Sequence, residues 1–399
     1  MTAPPSPVLR GLSNTFQRFF ESEKSAGLFL FACTIASLSL ANSPIGTEYS
    51  GLLHLQFAGL SLEHWINDAL MAVFFLLIGL ELEREIYSGE LSSLRTAMLP
   101  VVAALGGMVL PALIHFALNA GTPYQAGFGI PMATDIAFAL GALALLGRSV
   151  PSSLKVFVVA FAVMDDLGAI VVIALFYSAQ LSVGYLAAAL AIWGLLFVLN
   201  LRFRVMSLLP YLAGGALMWF LMLKSGVHAT LSGVMLAFAI PYSSKDDDSA
   251  SPSHRLEQSL HGPVAFLILP VFALANTAIP LGADWVQSLA SPNAVGIAAG
   301  LVLGKTAGIT LFCFVAVTAG LCRLPPDLGW RHVLGAGMLG GIGFTMSIFI
   351  ANLAFAGDAQ GINASKVAIL AASLLAGMLG YAWLRRGLPP RSAVRAGSG

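Results

Sequence analysis

Apolar residues run along this chain in blocks of membrane length, parted by short polar stretches. A helix that crosses a hydrocarbon core needs about 20 mostly apolar residues. On that ruler the chain divides into about twelve spans: 26–43, 65–87, 95–118, 124–147, 152–178, 182–200, 205–222, 225–241, 258–281, 293–318, 329–355 and 363–384. The seventh and eighth are poorly separated. Two spans are interrupted near their middles, the fourth by Gly129 and Pro131 and the eleventh by Gly340, Gly341 and Gly343. Proline removes a backbone donor and clashes with the preceding turn. Glycine weakens a helix by about 1 kcal/mol relative to alanine. Unwound backbone survives at membrane depth only where protein or a water-filled cavity satisfies it.

The broken spans hold equivalent places, second in the triplet three–four–five and second in ten–eleven–twelve. The triplets start on opposite sides of the membrane. This is the pattern of an inverted repeat with two crossed, broken helices at a midplane site. The long outer connection 48–64 carries Leu53, Leu55, Phe57 and Leu60, with Gly51 and Gly59 as breakers. It predicts a loop or small hairpin whose edge can pair with a second copy, giving a homodimer.

Composition supports one integral-membrane domain over 1–399. The chain is 58% hydrophobic and only 10% charged, against about 25% charged in a soluble domain. The expected class is an all-α polytopic membrane protein whose surroundings are the lipid bilayer. The first 25 residues carry Arg10, Arg18, Glu21, Glu23 and Lys24 and no apolar core of a signal peptide. Phe16, Phe19 and Phe20 among those charges suggest a short interfacial helix over 1–25. Three cysteines, an odd number, offer neither a disulfide framework nor zinc spacing, and no cofactor is expected. A net charge of +1 gives no footprint for nucleic acid.

Charge placement predicts orientation. With the N-terminus inside, 17 of the 20 Lys and Arg residues fall in inner loops and tails. Lys224 and Lys366 fall outside and Lys305 is mid-membrane. That bias puts both termini in the cytoplasm, with 385–399 as a cytoplasmic tail. The acidic run Asp246–Asp248 reads as part of a solvated inner loop.

Four ionisable residues lie deep in apolar spans: Asp135, Asp165, Asp166 and Lys305. Each costs roughly 2.5–3.5 kcal/mol at a bilayer centre on insertion scales, so each must be paired or must move something. Asp165 and Asp166 are adjacent on span five. Neighbouring helical residues point about 100° apart, so one can face a cavity and the other a helix partner. Two close carboxylates in low dielectric cannot both ionise cheaply. Carboxylate oxygens suit hard cations such as Na⁺ and Li⁺. Competition of H⁺ and Na⁺ for the same oxygens gives exchange. Asp135 opens the second half of span four, where it can neutralise paired helix N-termini. Lys305 can neutralise the paired C-termini or form a salt bridge with an aspartate.

At these residues the chain resembles the NhaA family of bacterial Na⁺/H⁺ antiporters. The matching stretches are FFLLIGLELERE (74–85), ATDIAFAL (133–140), DDLGAI (165–170), GVHATLSGV (226–234), LPVFALANT (269–277), GKTAGI (304–309) and GGIGFTMSIF (340–349). The NhaA fold is itself a known instance of inverted repeats with broken helices. The resemblance implies a secondary antiporter, not an enzyme, in the bacterial inner membrane. It would extrude Na⁺ or Li⁺ against entering protons, electrogenically and with activation at alkaline pH. It implies that Asp165 and Asp166 bind the ion and protons, that Thr134 and Asp135 support them, and that Lys305 compensates charge or couples protons. It further implies a pH-responsive cluster of Glu81, Arg84, Glu85, Glu257 and His261, and a role in pH response for His228. By spacing alone, Glu81, Arg84 and Glu85 read better as a surface ion-pair ladder. The buried charges leave two other functions open: a Na⁺-coupled symporter of an organic anion, and an intramembrane aspartyl protease using Asp135 with Asp165 or Asp166.

Overall fold

The computed structural model describes residues 25–147, 150–177, 181–243, 251–282 and 285–387. The expected surface helix before Ser25, Asp246–Asp248 and most of the 385–399 tail lie outside the described residues. The regular elements of the described chain are helices apart from one small hairpin. In order come α1 (Ser25–Ala41), α2 (Gly46–Leu53), the strands β1 (Gln56–Phe57) and β2 (Leu60–Ser61), α3 (Leu62–Tyr87), α4 (Leu94–Leu118), α5 (Pro123–Met132, in 3₁₀ turns), α6 (Ile136–Leu146) and α7 (Ser152–Phe176). Then follow α8 (Val183–Leu201), α9 (Leu208–Ser225), α10 (Leu231–Ala237), α11 (Pro252–Asn276), α12 (Trp285–Ser288), α13 (Pro292–Thr318), α14 (Trp330–Gly340), α15 (Phe344–Ala354) and α16 (Ala359–Gly387).

Among the described residues, eight helices are long and apolar enough to cross a membrane, and eleven spans result if each of three bent pairs counts as one. This is a multi-pass membrane protein. Eleven of the twelve expected spans have counterparts. The eighth, 225–241, differs: its α-helix is only the seven residues Leu231–Ala237. Hydropathy measures that stretch as long enough, but turns and loop occupy 226–230, beginning at Gly226 with a φ of 82°, and 238–241. Helix α10 lies buried against α3, where a β-carbon at Gly79 would strike Ala237 and one at Gly233 would strike the backbone at Ala72. Lys366 stands near the start of α16, seven residues after Ala359, and its side chain is buried.

The connection at 48–64 folds as α2 followed by an antiparallel hairpin pairing Gln56 with Ser61 and Phe57 with Leu60. The two turn residues, Ala58 and Gly59, have φ of 51° and 84°, as a two-residue hairpin turn requires. Gly51 lies inside α2 and breaks nothing. Helix α2 turns 116° away from α1.

Both broken spans are present. Helices α5 and α6 meet at 41°, with residues 133–135 unwound between them, and α14 and α15 meet at 47°, with 341–343 unwound. Spans three and ten, equivalent members of the two triplets, cross at Gly106 and Gly308. There a β-carbon on either glycine would strike the other's backbone. The triplets are thereby drawn together around the breaks.

Candidate functional site

The two unwound segments cross and bond to each other. The backbone N–H of Asp135 donates to the Ile342 carbonyl at 2.6 Å, and the Ser347 hydroxyl donates to the Ile130 carbonyl at 2.7 Å. The orphan backbone groups that a break leaves in lipid are thus satisfied by the opposite broken span.

Asp135 caps both second halves at once. Its Oδ1 accepts from the Phe138 N–H at the start of α6 at 3.1 Å. Its Oδ2 accepts from the Thr345 N–H at the start of α15 at 3.1 Å and from the Thr345 hydroxyl. Each helix N-terminus carries about +0.5 charge, so one carboxylate balances two. The Thr345 partnership was not read from the sequence. A threonine one residue into the restarted helix was its only signal.

Asp165 and Asp166, on α7, and Lys305, on α13, are fully buried with Thr134 between the helices. The Lys305 ammonium pairs with Asp165 Oδ2 and donates to Thr134 Oγ at 2.9 Å. Of the two roles open to Lys305, the structure shows the salt bridge. Thr134 Oγ lies 2.7 Å from Asp165 Oδ2 and 2.9 Å from the Gly340 carbonyl at the end of α14. A hydroxyl has one proton to donate, so it serves one of these acceptors at a time. Both oxygens of Asp166 and Oδ1 of Asp165 are buried without a hydrogen-bond partner. Buried polar atoms in this condition are rare and need a reason. Among the described residues, no group of three or more His, Cys, Asp or Glu side chains is arranged to hold a metal ion.

A second ionic cluster joins the end of α3 to the start of α11. Glu257 is its hub. Arg84 Nε approaches Glu257 Oε1 at 3.1 Å, His261 approaches it at 3.7 Å, and His254 approaches Oε2 at 3.6 Å. Arg84 also meets Glu85 at 3.3 Å, and His261 meets Glu81 at 3.6 Å. The five residues named from the sequence therefore lie together. His254 is an addition, readable in retrospect from its three-residue spacing to Glu257. Glu83, also unforeseen, is buried and accepts from the Ser253 hydroxyl at 2.9 Å. His228 is elsewhere: its Nε2 is 2.8 Å from the Tyr177 carbonyl at the end of α7.

Comparison with known proteins agrees with this architecture. The family described as Na⁺/H⁺ antiporter 1 matches residues 17–384. The Na⁺/H⁺ antiporter NhaA of Dechloromonas aromatica is 68% identical over 373 residues, 94% of this chain and 96% of that protein. The NhaA of Cytophaga hutchinsonii is 56% identical over 374 residues, with the same shares of each chain. That of Mesorhizobium japonicum is 49% identical over 376 residues, 93% of this chain and 94% of its own. Neither the symporter nor the protease reading gains any support from these relatives, each of which is named an antiporter. Identity at this level over nearly the full length leaves one conclusion: the chain belongs to the NhaA family of Na⁺/H⁺ antiporters.

Proposed function

We propose that this antiporter exchanges Na⁺, and Li⁺ as a second hard cation, for protons at Asp165 and Asp166, with Thr134 and Asp135 supporting the site and Lys305 compensating its charge. One observation carries this reading. Asp166 is buried at the crossed breaks with both oxygens unpartnered, beside an aspartate already paired to Lys305. A carboxyl so placed is stable when it holds a proton or a cation, and poorly stable when it holds neither. The chain's work is then transport and not covalent chemistry, with no resident cofactor. The test is the purified protein in liposomes, with internal pH followed as Na⁺, Li⁺ or K⁺ is added. Na⁺ and Li⁺ should each move protons. No response to Na⁺ would overturn the assignment.

Exchange is expected to respond to voltage. If two protons leave the carboxyls for each Na⁺ bound, one net charge moves per cycle, worth about 2.3 kcal/mol per 100 mV. An inside-negative potential then draws protons in and drives Na⁺ out. A Lys305–Asp165 pair that never opens gives one-for-one exchange, indifferent to voltage. Na⁺ flux at a fixed pH gradient, with voltage set by K⁺ and valinomycin, separates the two.

The rate should rise from acid to alkaline pH, because protons compete with Na⁺ for the aspartates. The cluster around Glu257 tunes the midpoint, with Glu81, Arg84, Glu85 and His261. Glu257→Gln is expected to keep maximal exchange and move the midpoint toward acid, since a cluster with one negative charge fewer releases protons more easily. A profile unmoved by this change and by others in the cluster would leave competition at the aspartates as the whole explanation. His228, apart from the cluster, would act through its contact with Tyr177.

The seat is the bacterial inner membrane with both termini cytoplasmic, as the basic residues imply. The hairpin Gln56–Ser61, with Phe57 71% exposed, offers an edge for a homodimer.

A further inference from the structure

Among the described residues, two cavities lie outside the site described, and the larger of the two carries an inference. It is an apolar groove of about 530 Å³ between α1, α6 and α16. Its floor includes Ile342 and Phe344, which flank the break of span eleven. Along α16 it runs from Leu370 to Tyr381, and at 1.5 Å per residue that is about 16 Å. One leaflet of a hydrocarbon core about 30 Å thick has nearly that depth. Arg385 and Arg386 stand in the last turn of α16, both exposed. The Arg385 guanidinium lies over the ring of Tyr381, 6.0 Å from its centre, at the mouth of the groove.

We propose that the groove is a lipid site: one acyl chain of an anionic phospholipid lies along it, with the phosphate at Arg385 and Arg386. Three features support this occupant. The length matches a single chain of one leaflet. The lining is apolar, so a chain loses nothing by entering. The cationic turn sits where the chain's headgroup must emerge, and guanidinium groups bind phosphate through paired donors. A second copy of the protein fits less well. A two-fold axis along the membrane normal would bring the same cationic turns to the same depth, facing each other. Because the floor flanks the break, the bound chain would rest against the crossing, and so against one of the parts that ion exchange must disturb.

The test uses the full chain, reconstituted with either phosphatidylglycerol or phosphatidylcholine, then stripped in detergent and weighed by native mass spectrometry. The parent should retain one phosphatidylglycerol per chain and at least tenfold less phosphatidylcholine. R385A/R386A, confined to exposed side chains, should lower phosphatidylglycerol retention at least tenfold. Ala142→Phe, which fills the groove from α6, should abolish retention while the arginines remain. Equal retention of the two lipids, or full retention by either variant, overturns the proposal. So does a several-fold gain in retention on deleting residues 1–24, which would make the chain's own N-terminal segment the occupant. A dimer that Ala142→Phe converts to monomer would assign the groove to a second copy, and equally overturns it.

Discussion

Asp166→Asn is expected to abolish Na⁺-driven proton movement in liposomes while the protein stays folded and inserted. The substitution keeps the side chain's shape and removes a cation ligand and a titrating group together. It breaks no hydrogen bond, because neither oxygen of Asp166 has a partner. The melting temperature should therefore stay within a few degrees of the parent. Asp165→Asn should be nearly as damaging to exchange, but with a different signature. Asp165 is the partner of Lys305 and of Thr134, so this variant should also melt lower. Removing one side of a buried pair typically costs about 3–5 kcal/mol. Normal exchange in both single variants would remove Asp165 and Asp166 from the ion site. Equal melting loss in both would contradict the asymmetry of the pair.

Lys305→Ala should lose activity and stability together. The ammonium is wholly buried and meets Asp165 and Thr134. Without it Asp165 loses its only ion-pair partner among the described residues, and the penalty again belongs to the range of about 3–5 kcal/mol for a broken buried pair. Lys305→Arg keeps the charge and should restore part of the melting temperature. A guanidinium is larger and planar and cannot occupy the ammonium's place between Asp165 and Thr134 without shifting one of them, so exchange should recover less than stability. The measurement is thermal unfolding in detergent beside proton flux in liposomes. A Lys305→Ala protein that melts like the parent would show that the aspartates need no compensating charge.

Much of this was legible in the chain. The two breaks announce themselves by residue type, at Gly340–Gly343 directly and at Gly129 and Pro131 only nearby, since both of these lie inside α5 and the chain unwinds at 133–135. Asp135 announces itself as a cap because it opens a restarted helix. The pairing of Lys305 was legible only as a choice, since its partner lies 140 residues away and the spans on both sides were equally apolar. Hydropathy says less about helix length than about span number. The stretch 225–241 is apolar enough to span, yet only seven of its residues form α-helix. A hydropathy window averages composition and does not see the non-helical residues 226–230 and 238–241 that flank the helix. Polar side chains inside spans were also passed over. Asn276 donates to Asn67 at 2.6 Å and accepts from Asn352 at 2.6 Å, joining α3, α11 and α15. Neutral amides in apolar runs carry little signal until their partners are known. His254 was missed for a simpler reason: it stands before the apolar part of its helix, where histidines are ordinary.

The double cap at Asp135 has a mechanical meaning. Helices α6, α14 and α15 are each 11 residues long, or about 16 Å. Asp135 pins the near ends of α6 and α15 to one carboxylate. The crossing is then a fulcrum, with the half-helices as levers of equal arm. A tilt of about 5° moves the far end of such an arm by about 1.5 Å and barely stretches the bonds at the pin. A path to one face of the membrane can narrow while the other widens, with the centre holding still.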